Sequence, residues 1–214
     1  MPARNGSSAP VSVTSAAPMI VSLTSMKGGV GKSTLAVNLA GALALRGPTA
    51  LMDADAAIQT SGGWIQRGAI PVTLLPEGAP IPAGTRYLVV DTEGRPAIED
   101  MVQLSRQSHV VLIPTAPNSV EVEATAKLLK RLEEGGANMS TLRIVVTKAP
   151  PVGTVGQAAR DELRAMGMPV CETVIRRYTA HERAHEQAVL VRHTQDSRAE
   201  NAWGDILSLT VEVC

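Results

Sequence analysis

The sequence predicts an α/β fold, with a twisted, mostly parallel sheet flanked by helices on both faces. Three observations predict it. Short apolar runs alternate with stretches of helical periodicity along most of the chain, the pattern of repeated βαβ units. A glycine-rich loop joins the first apolar run to the first helix. Hydrophobic residues make up 44% of the 214 residues, enough to bury one substantial core.

The elements follow in order. Residues 1–18 are rich in Ser, Ala and Pro and are expected to form a disordered tail, with one domain over residues 19–214. Met19–Thr24 is an apolar run and reads as a buried strand. Ser33–Arg46 carries Leu35, Leu39, Leu43 and Leu45 at helical spacing, and Gly47-Pro48 stops it. Thr49–Asp53, Val72–Leu75 and Tyr87–Asp91 read as strands, and Pro96–Ser105 as a helix. His109–Pro114 is a strand, followed by a helix over Ser119–Glu134 that Gly135-Gly136 closes. Arg143–Thr147 and Val170–Ile175 are strands on either side of a helix over Val155–Met166. Ala180–Ala188 and Glu200–Leu209 read as helices, and Trp203 on the last of them is expected to pack rather than to bind.

Composition removes several function classes. There is no Phe, and only two Trp and two Tyr, which argues against an aromatic platform for single-stranded nucleic acid. The two cysteines, Cys171 and Cys214, form no close pair. That argues against a disulfide scaffold, a cysteine zinc site and an iron–sulfur cluster. No apolar stretch is long enough to span a bilayer, and the N-terminal residues are too polar for a signal peptide. A cytoplasmic location is expected. Net charge is zero, but acids concentrate in residues 50–125 and basic groups in residues 126–198. A neutral chain of this kind can still present a basic face.

The chemistry is concentrated in Lys27-Gly28-Gly29-Val30-Gly31-Lys32-Ser33-Thr34. Glycines let successive backbone N–H groups turn inward around phosphate oxygens. The helix that follows adds its N-terminal dipole. Lys32 is placed to reach the β- and γ-phosphates, and the Ser33 hydroxyl to ligate Mg²⁺. These residues predict ATP and Mg²⁺ as the bound cofactors of a P-loop NTPase.

Met26 stands where an ordinary phosphate loop has its first glycine, and Lys27 is an additional lysine. K-G-G-x-G-K-[ST]-T is the deviant Walker A pattern, and the chain resembles the ParA/MinD group of P-loop ATPases over roughly residues 19–192. Within that group it is most similar to small ParA-type (ParF-like) partition ATPases, which lack an N-terminal DNA-binding domain. In that group two subunits sandwich two ATP molecules, and the first lysine reaches the partner's phosphates. The resemblance therefore implies a homodimer when ATP is bound, with Lys27 acting in trans.

The resemblance also assigns Asp53 and Asp55, in Leu51-Met52-Asp53-Ala54-Asp55, to the D-x-D motif. Asp55 would position or activate the attacking water and Asp53 support the metal–water shell. Ala56-Ala57 stands where partition members continue with Pro-Gln. Tyr87–Gly94 matches a Walker B strand: Asp91 would hold a Mg²⁺-bound water, and the Gly94 N–H would sense the γ-phosphate. Residues 109–119 resemble the group's strand and following helix start. Residues 144–148 (IVVTK) and 173–177 (TVIRR) resemble its base-binding segments, which assigns Thr147, Lys148 and Ile175 to adenine. The sequence lacks NKxD there, so guanine selection has no support.

Function follows as an expectation. The leading reading is a DNA partition ATPase, cytoplasmic and nucleoid-associated. It binds DNA non-specifically, and a ParB-like centromere-binding partner stimulates hydrolysis. With no room for a regulator domain before Met19, no operator binding is expected. The alternatives are positioning of another cargo, a protein complex or a division site, or an ATP-using ligase of the dethiobiotin-synthetase type. Lys27 argues against the ligase. The acidic stretch 199–214 argues against a membrane-bound role, which needs a basic amphipathic helix.

Two further features are ambiguous in sequence. Arg176, Arg177, Arg183 and Arg192, with Lys148, form either a DNA-binding basic face or a solvated surface interleaved with Glu172, Glu182 and Glu186. His181-Glu182-Arg183-Ala184-His185 is a literal H-E-x-x-H. Ala188 and Val191 break the longer zinc-protease form, so this helix is expected to be an exposed amphipathic surface helix.

Overall fold

The computed structural model describes residues 17–55 and 59–214. Apart from residues 17 and 18, the tail expected over 1–18 lies outside the described residues, as does the Ala56-Ala57 departure.

Among the described residues, seven strands form one parallel sheet in the order β3-β2-β4-β1-β5-β6-β7. They are β1 (Met19–Ser25), β2 (Thr49–Asp53), β3 (Thr73–Leu75), β4 (Tyr87–Gly94), β5 (Val110–Thr115), β6 (Leu142–Ala149) and β7 (Val170–Arg176). The helices are α1 (Lys32–Leu43), α2 (Thr60–Arg67), α3 (Ile98–Gln107), α4 (Ser119–Glu134), α5 (Val155–Ala165), α6 (Thr179–Gln187) and α7 (Ala199–Val213). This is the parallel sheet with helices on both faces that the sequence predicts. Six of the seven helices fall where periodicity places them. The seventh, α2, has no counterpart in the sequence reading.

The strands alternate between two cores, as a pleat with period two requires. In β5, Leu112 joins one core while Val111 and Ile113 join the other. In β6, Val145 faces the first and Ile144 and Val146 the second. The first core contains α1, α2, α6 and α7; the second contains α3, α4 and α5. Both faces of the sheet are thereby covered, and the functional edge is left at the carboxyl ends of the strands.

α1 is buried along its length, from Leu35 to Leu43. Its one polar residue in that run, Asn38, is satisfied at both ends of its amide. Nδ2 donates to the Thr34 carbonyl at 2.9 Å, and Oδ1 accepts from the Val191 amide at 2.8 Å. A packed helix whose buried amide side chain is satisfied at both ends is a rigid mount for the loop at its N-terminus. No helix among the described residues is long and apolar enough to cross a membrane.

Candidate functional site

The glycine loop links β1 to α1, so its amides lie at the carboxyl edge of the central strand. Gly29 has φ +75° and Gly31, the N-cap of α1, has φ +89° and ψ 17°. Both lie in the left-handed region that glycine tolerates without a Cβ penalty. A Cβ built on Gly28 or Gly29 would meet nothing within 4 Å. The loop therefore curls around open space and matches the cradle that a phosphate chain requires. Ser25 pins its start: the Ser25 hydroxyl donates to the Lys27 carbonyl at 2.7 Å and accepts from the Lys27 amide at 3.1 Å.

A cavity of about 540 Å³ opens above the loop. Lys27 to Thr34 form its floor, Asp55 and Gly94 lie on one side, and Thr147, Lys148 and Ile175 on another. All these sequence-predicted residues are therefore brought together. Ser33 sits in the first turn of α1, where its hydroxyl would hold Mg²⁺. Bound Mg²⁺ and ATP supply the transferable phosphoryl group and the neutralisation of its charge.

Asp53, the last residue of β2, is the register partner of Asp91 in β4, and the two make different contacts. Asp91 is 1% exposed and its Oδ1 accepts from Lys32 Nζ at 2.6 Å. Lys32 also donates to the Thr92 carbonyl. Asp53 Oδ1 accepts from the Asp55 amide at 3.1 Å, and its Oδ2 accepts from the Gly62 amide at 2.8 Å. Gly62 is in the first turn of α2, so Asp53 caps that helix from the neighbouring strand. An anion at the N-terminus explains why so glycine-rich a segment is helical.

Lys27 reaches across the edge to α4, where its Nζ meets Glu121 Oε1 at 2.5 Å. Thr147 is 3% exposed and is occupied with the loop. Its hydroxyl donates to the Val30 carbonyl at 2.8 Å, with the Thr115 carbonyl at 3.2 Å as a second acceptor. Lys148, at φ +56°, places its Cε 3.9 Å from a Cβ built on Gly31.

Helix α6 departs from the sequence expectation. It is not simply an exposed surface helix. Ala180 and Ala184 are buried in the core, and His181, Glu182, His185 and Glu186 form the far wall of the cavity. The reason is position: α6 follows β7 directly and lies over the cavity mouth. The His185 ring stands edge-on to Trp64 of α2, with centroids 5.1 Å apart. Both ring nitrogens of His181 are buried, and among the described residues neither makes a hydrogen bond of good geometry. Burial pushes its pKa below the ordinary histidine value, against the pull of Asp205, the Arg176 carbonyl and Glu182. Among the described residues, no three His, Cys, Asp or Glu side chains converge as a metal site.

The four arginines proposed for DNA each meet a partner. Arg176 is bound bidentately by Asp205 of α7, at 2.6 Å through Nη2 and 3.0 Å through Nε, and its own amide donates to the same carboxylate. That hydrogen bonding raises the Arg176 pKa further. Arg183 pairs with Asp196 at 2.8 Å and Arg177 with Glu182 at 3.6 Å. Arg192 lies over the Trp203 ring, whose residue is 4% exposed and packed as expected. Of the four, Arg176 is thus the most fully paired within the chain.

The sequence reading did not place Glu121 beside Lys27, or His181 and His185 on the cavity wall. Glu121 lies 94 residues from Lys27, and the two histidines follow the loop by about 150 residues, so no local pattern places them at the site.

Comparison with known proteins adds three findings. Residues 21–191 match the family described as the CobQ/CobB/MinD/ParA nucleotide binding domain. The maintenance of carboxysome distribution protein A of Gloeobacter kilaueensis is 31% identical over 211 residues, 92% of this chain and 94% of that protein. Among solved structures, a plasmid partition protein of Borrelia burgdorferi bound to AMPPNP superposes with a TM-score of 0.67 at 15% identity, covering 91% of this chain and 99% of that one. Cyanothece McdA superposes equally, at 0.67 and 14% identity, covering 90% of this chain and 100% of that one.

Proposed function

The chain belongs to the CobQ/CobB/MinD/ParA nucleotide-binding family and is a Mg²⁺-dependent ATPase; from that premise we propose that it positions a protein-built cargo of the carboxysome type. The observation that carries this reading is the 31% identity to a carboxysome distribution protein, sustained over 92% of the chain. It favours the protein-complex alternative over plasmid or chromosome partition, to which the sequence motifs first pointed. The Borrelia partition protein shares the fold at 15% identity, which does not extend to cargo.

On this reading the chain's own residues act as follows. Gly28 to Gly31 and the start of α1 bind the phosphates, and Lys32 leaves Asp91 for the β- and γ-oxygens. Ser33 would hold Mg²⁺ directly and Asp91 through water. Asp55, on the cavity wall, orients the attacking water. Lys148 and Ile175 bound the adenine. Lys27 serves the phosphates of a second copy, so ATP binding and homodimerisation are one event. Non-specific DNA is the proposed track, with exposed Arg177 and Arg192 as candidate contacts. A cargo-bound adaptor, rather than a ParB-like centromere protein, is the proposed stimulator of hydrolysis.

The test is deletion of the gene in its own organism, with a fluorescent shell protein and a plasmid-retention marker followed together. The expected result is clustered compartments with unchanged plasmid retention. Evenly spaced compartments with plasmid loss would return the assignment to DNA partition.

A further inference from the structure

Lys27 has a fixed backbone and an engaged side chain. Ser25 holds both its amide and its carbonyl, so only the side chain can swing. Its ammonium lies 2.5 Å from Glu121 Oε1. Glu121 is held in turn: it is the third residue of α4, and its amide donates to the Asn118 cap at 3.0 Å. The carboxylate therefore sits in the first turn of a 16-residue helix, over its N-terminal end. Its side chain is 19% exposed against 44% for Lys27. The lysine is the mobile partner and the glutamate the fixed one.

We propose that Glu121 is a positioning residue that holds Lys27 within its own subunit, so that pairing with a second copy of this chain requires this ion pair to break. The proposal rests on the trans role of Lys27. A lysine bound to Glu121 cannot at the same time reach phosphates in a partner. The ion pair thus sets the protein concentration at which ATP drives dimerisation. Each dimer breaks two such pairs. A part-exposed pair changes an equilibrium by about 1.4- to 5-fold, so the two together amount to about 2- to 25-fold.

Sedimentation velocity of the full chain with Mg²⁺ and AMPPNP tests it. Glu121→Gln keeps the helix position and hydrogen-bonding capacity and removes the charge. The expected result is a dimer dissociation constant about 2- to 25-fold lower than wild type. The gap should close as salt is raised, because salt screens the wild-type pair. Glu121→Asp, which keeps the charge, should lie nearer wild type than Gln does. Lys27→Ala should lose pairing, and adding Glu121→Gln to it should change nothing. If Lys27→Ala abolishes pairing while Glu121→Gln dimerises no better than wild type, the holding role is refuted. If Lys27→Ala pairs as well as wild type, the trans-lysine reading fails first and the proposal with it.

Discussion

Replacing Thr147 by valine separates two jobs that the same residue was open to. The sequence motif assigns Thr147 to the adenine, whereas its hydroxyl in the structure donates to the Val30 carbonyl at 2.8 Å. A hydroxyl has one proton, so the Thr115 carbonyl at 3.2 Å is its second choice. Val30 is 6% exposed and Thr147 3% exposed, so water does not readily replace the lost donor. Valine preserves the shape and strands a buried acceptor, which costs about 1–3 kcal/mol. Removing the hydroxyl from an apolar site returns part of that, leaving about 1–2 kcal/mol. For a chain of this size, each kcal/mol lowers the melting temperature by about 2–4 °C.

The same bond tethers the middle of the phosphate loop to β6. If the whole loss falls on the preformed loop, the dissociation constant for ATP rises by about 5- to 30-fold. Differential scanning fluorimetry gives the stability and calorimetric titration with AMPPNP and GMPPNP gives the binding. Both nucleotides should weaken by the same factor, since the loop holds phosphates and is blind to the base. Unchanged AMPPNP affinity in a folded Thr147→Val protein would refute the tether. Weakened AMPPNP with unaltered GMPPNP would restore Thr147 to the adenine.

Four other outcomes are expected. Gly68→Ala should be strongly destabilising, by about 3 kcal/mol in chemical denaturation, because its Cβ would lie 1.9 Å from the Ala188 carbonyl oxygen. Gly41→Ala should be milder, since the atoms its Cβ meets are the flexible end of Leu190; equal losses would show the α2–α6 contact to be soft. Asp53→Ala should lower stability by about 1–2 kcal/mol without added nucleotide or metal, from loss of the Gly62 cap, whereas a purely metal-shell role leaves that melting curve unmoved. Finally, the lowered pKa of His181 means that the unfolded chain takes up its proton first as pH falls. Stability from this residue is complete above about pH 6.5, the unperturbed histidine value, and is lost as pH falls through the lower folded value. The urea midpoint of wild type should therefore fall relative to that of His181→Gln as pH falls from 8 to 5; parallel curves would place the His181 proton elsewhere.

The phosphate loop was legible in sequence because its requirements are local. Gly29 and Gly31 need positive φ, and Lys32 and Ser33 need only the start of a helix. Eight consecutive residues carry all of that. The sheet was legible for a similar reason, since a strand buried on both faces is apolar throughout. Helix α2 was not, because Thr60-Ser61-Gly62-Gly63 is a poor helical sequence by propensity. It forms because the Asp53 carboxylate caps it and Trp64, at 0% exposure, anchors it. Both causes are tertiary. Helix α6 was identified as a helix and misplaced in function, since periodicity says which side of a helix is apolar and nothing about what that side faces. Arg176 illustrates the same limit: a basic residue near three others reads as a surface patch until Asp205, 29 residues on, is seen to hold it.

The carboxylates around the loop give the two lysines their separate characters. Lys32 is 11% exposed and lies against an Asp91 that is 1% exposed. Leaving Asp91 buried and unpaired would cost several kcal/mol, so Lys32 is released only when another cation takes its place beside Asp91. On the proposed roles, Mg²⁺ with ATP would meet that condition: Lys32 would exchange a carboxylate for phosphate oxygens, and Asp91 would hold the metal through water. Neither charge is left alone, and phosphate without the metal should bind this loop poorly. Lys27 is under no such constraint. Its partner Glu121 is nearer the solvent, so breaking that pair leaves a carboxylate that water can cover at small cost. On the proposed roles, the buried pair would couple nucleotide binding to the metal, and the more exposed pair would be weak enough for a second subunit to open. Exchanging the burial of the two pairs would give a loop that binds ATP loosely and dimerises reluctantly, which is why their placement, beyond the lysines themselves, fits a switch.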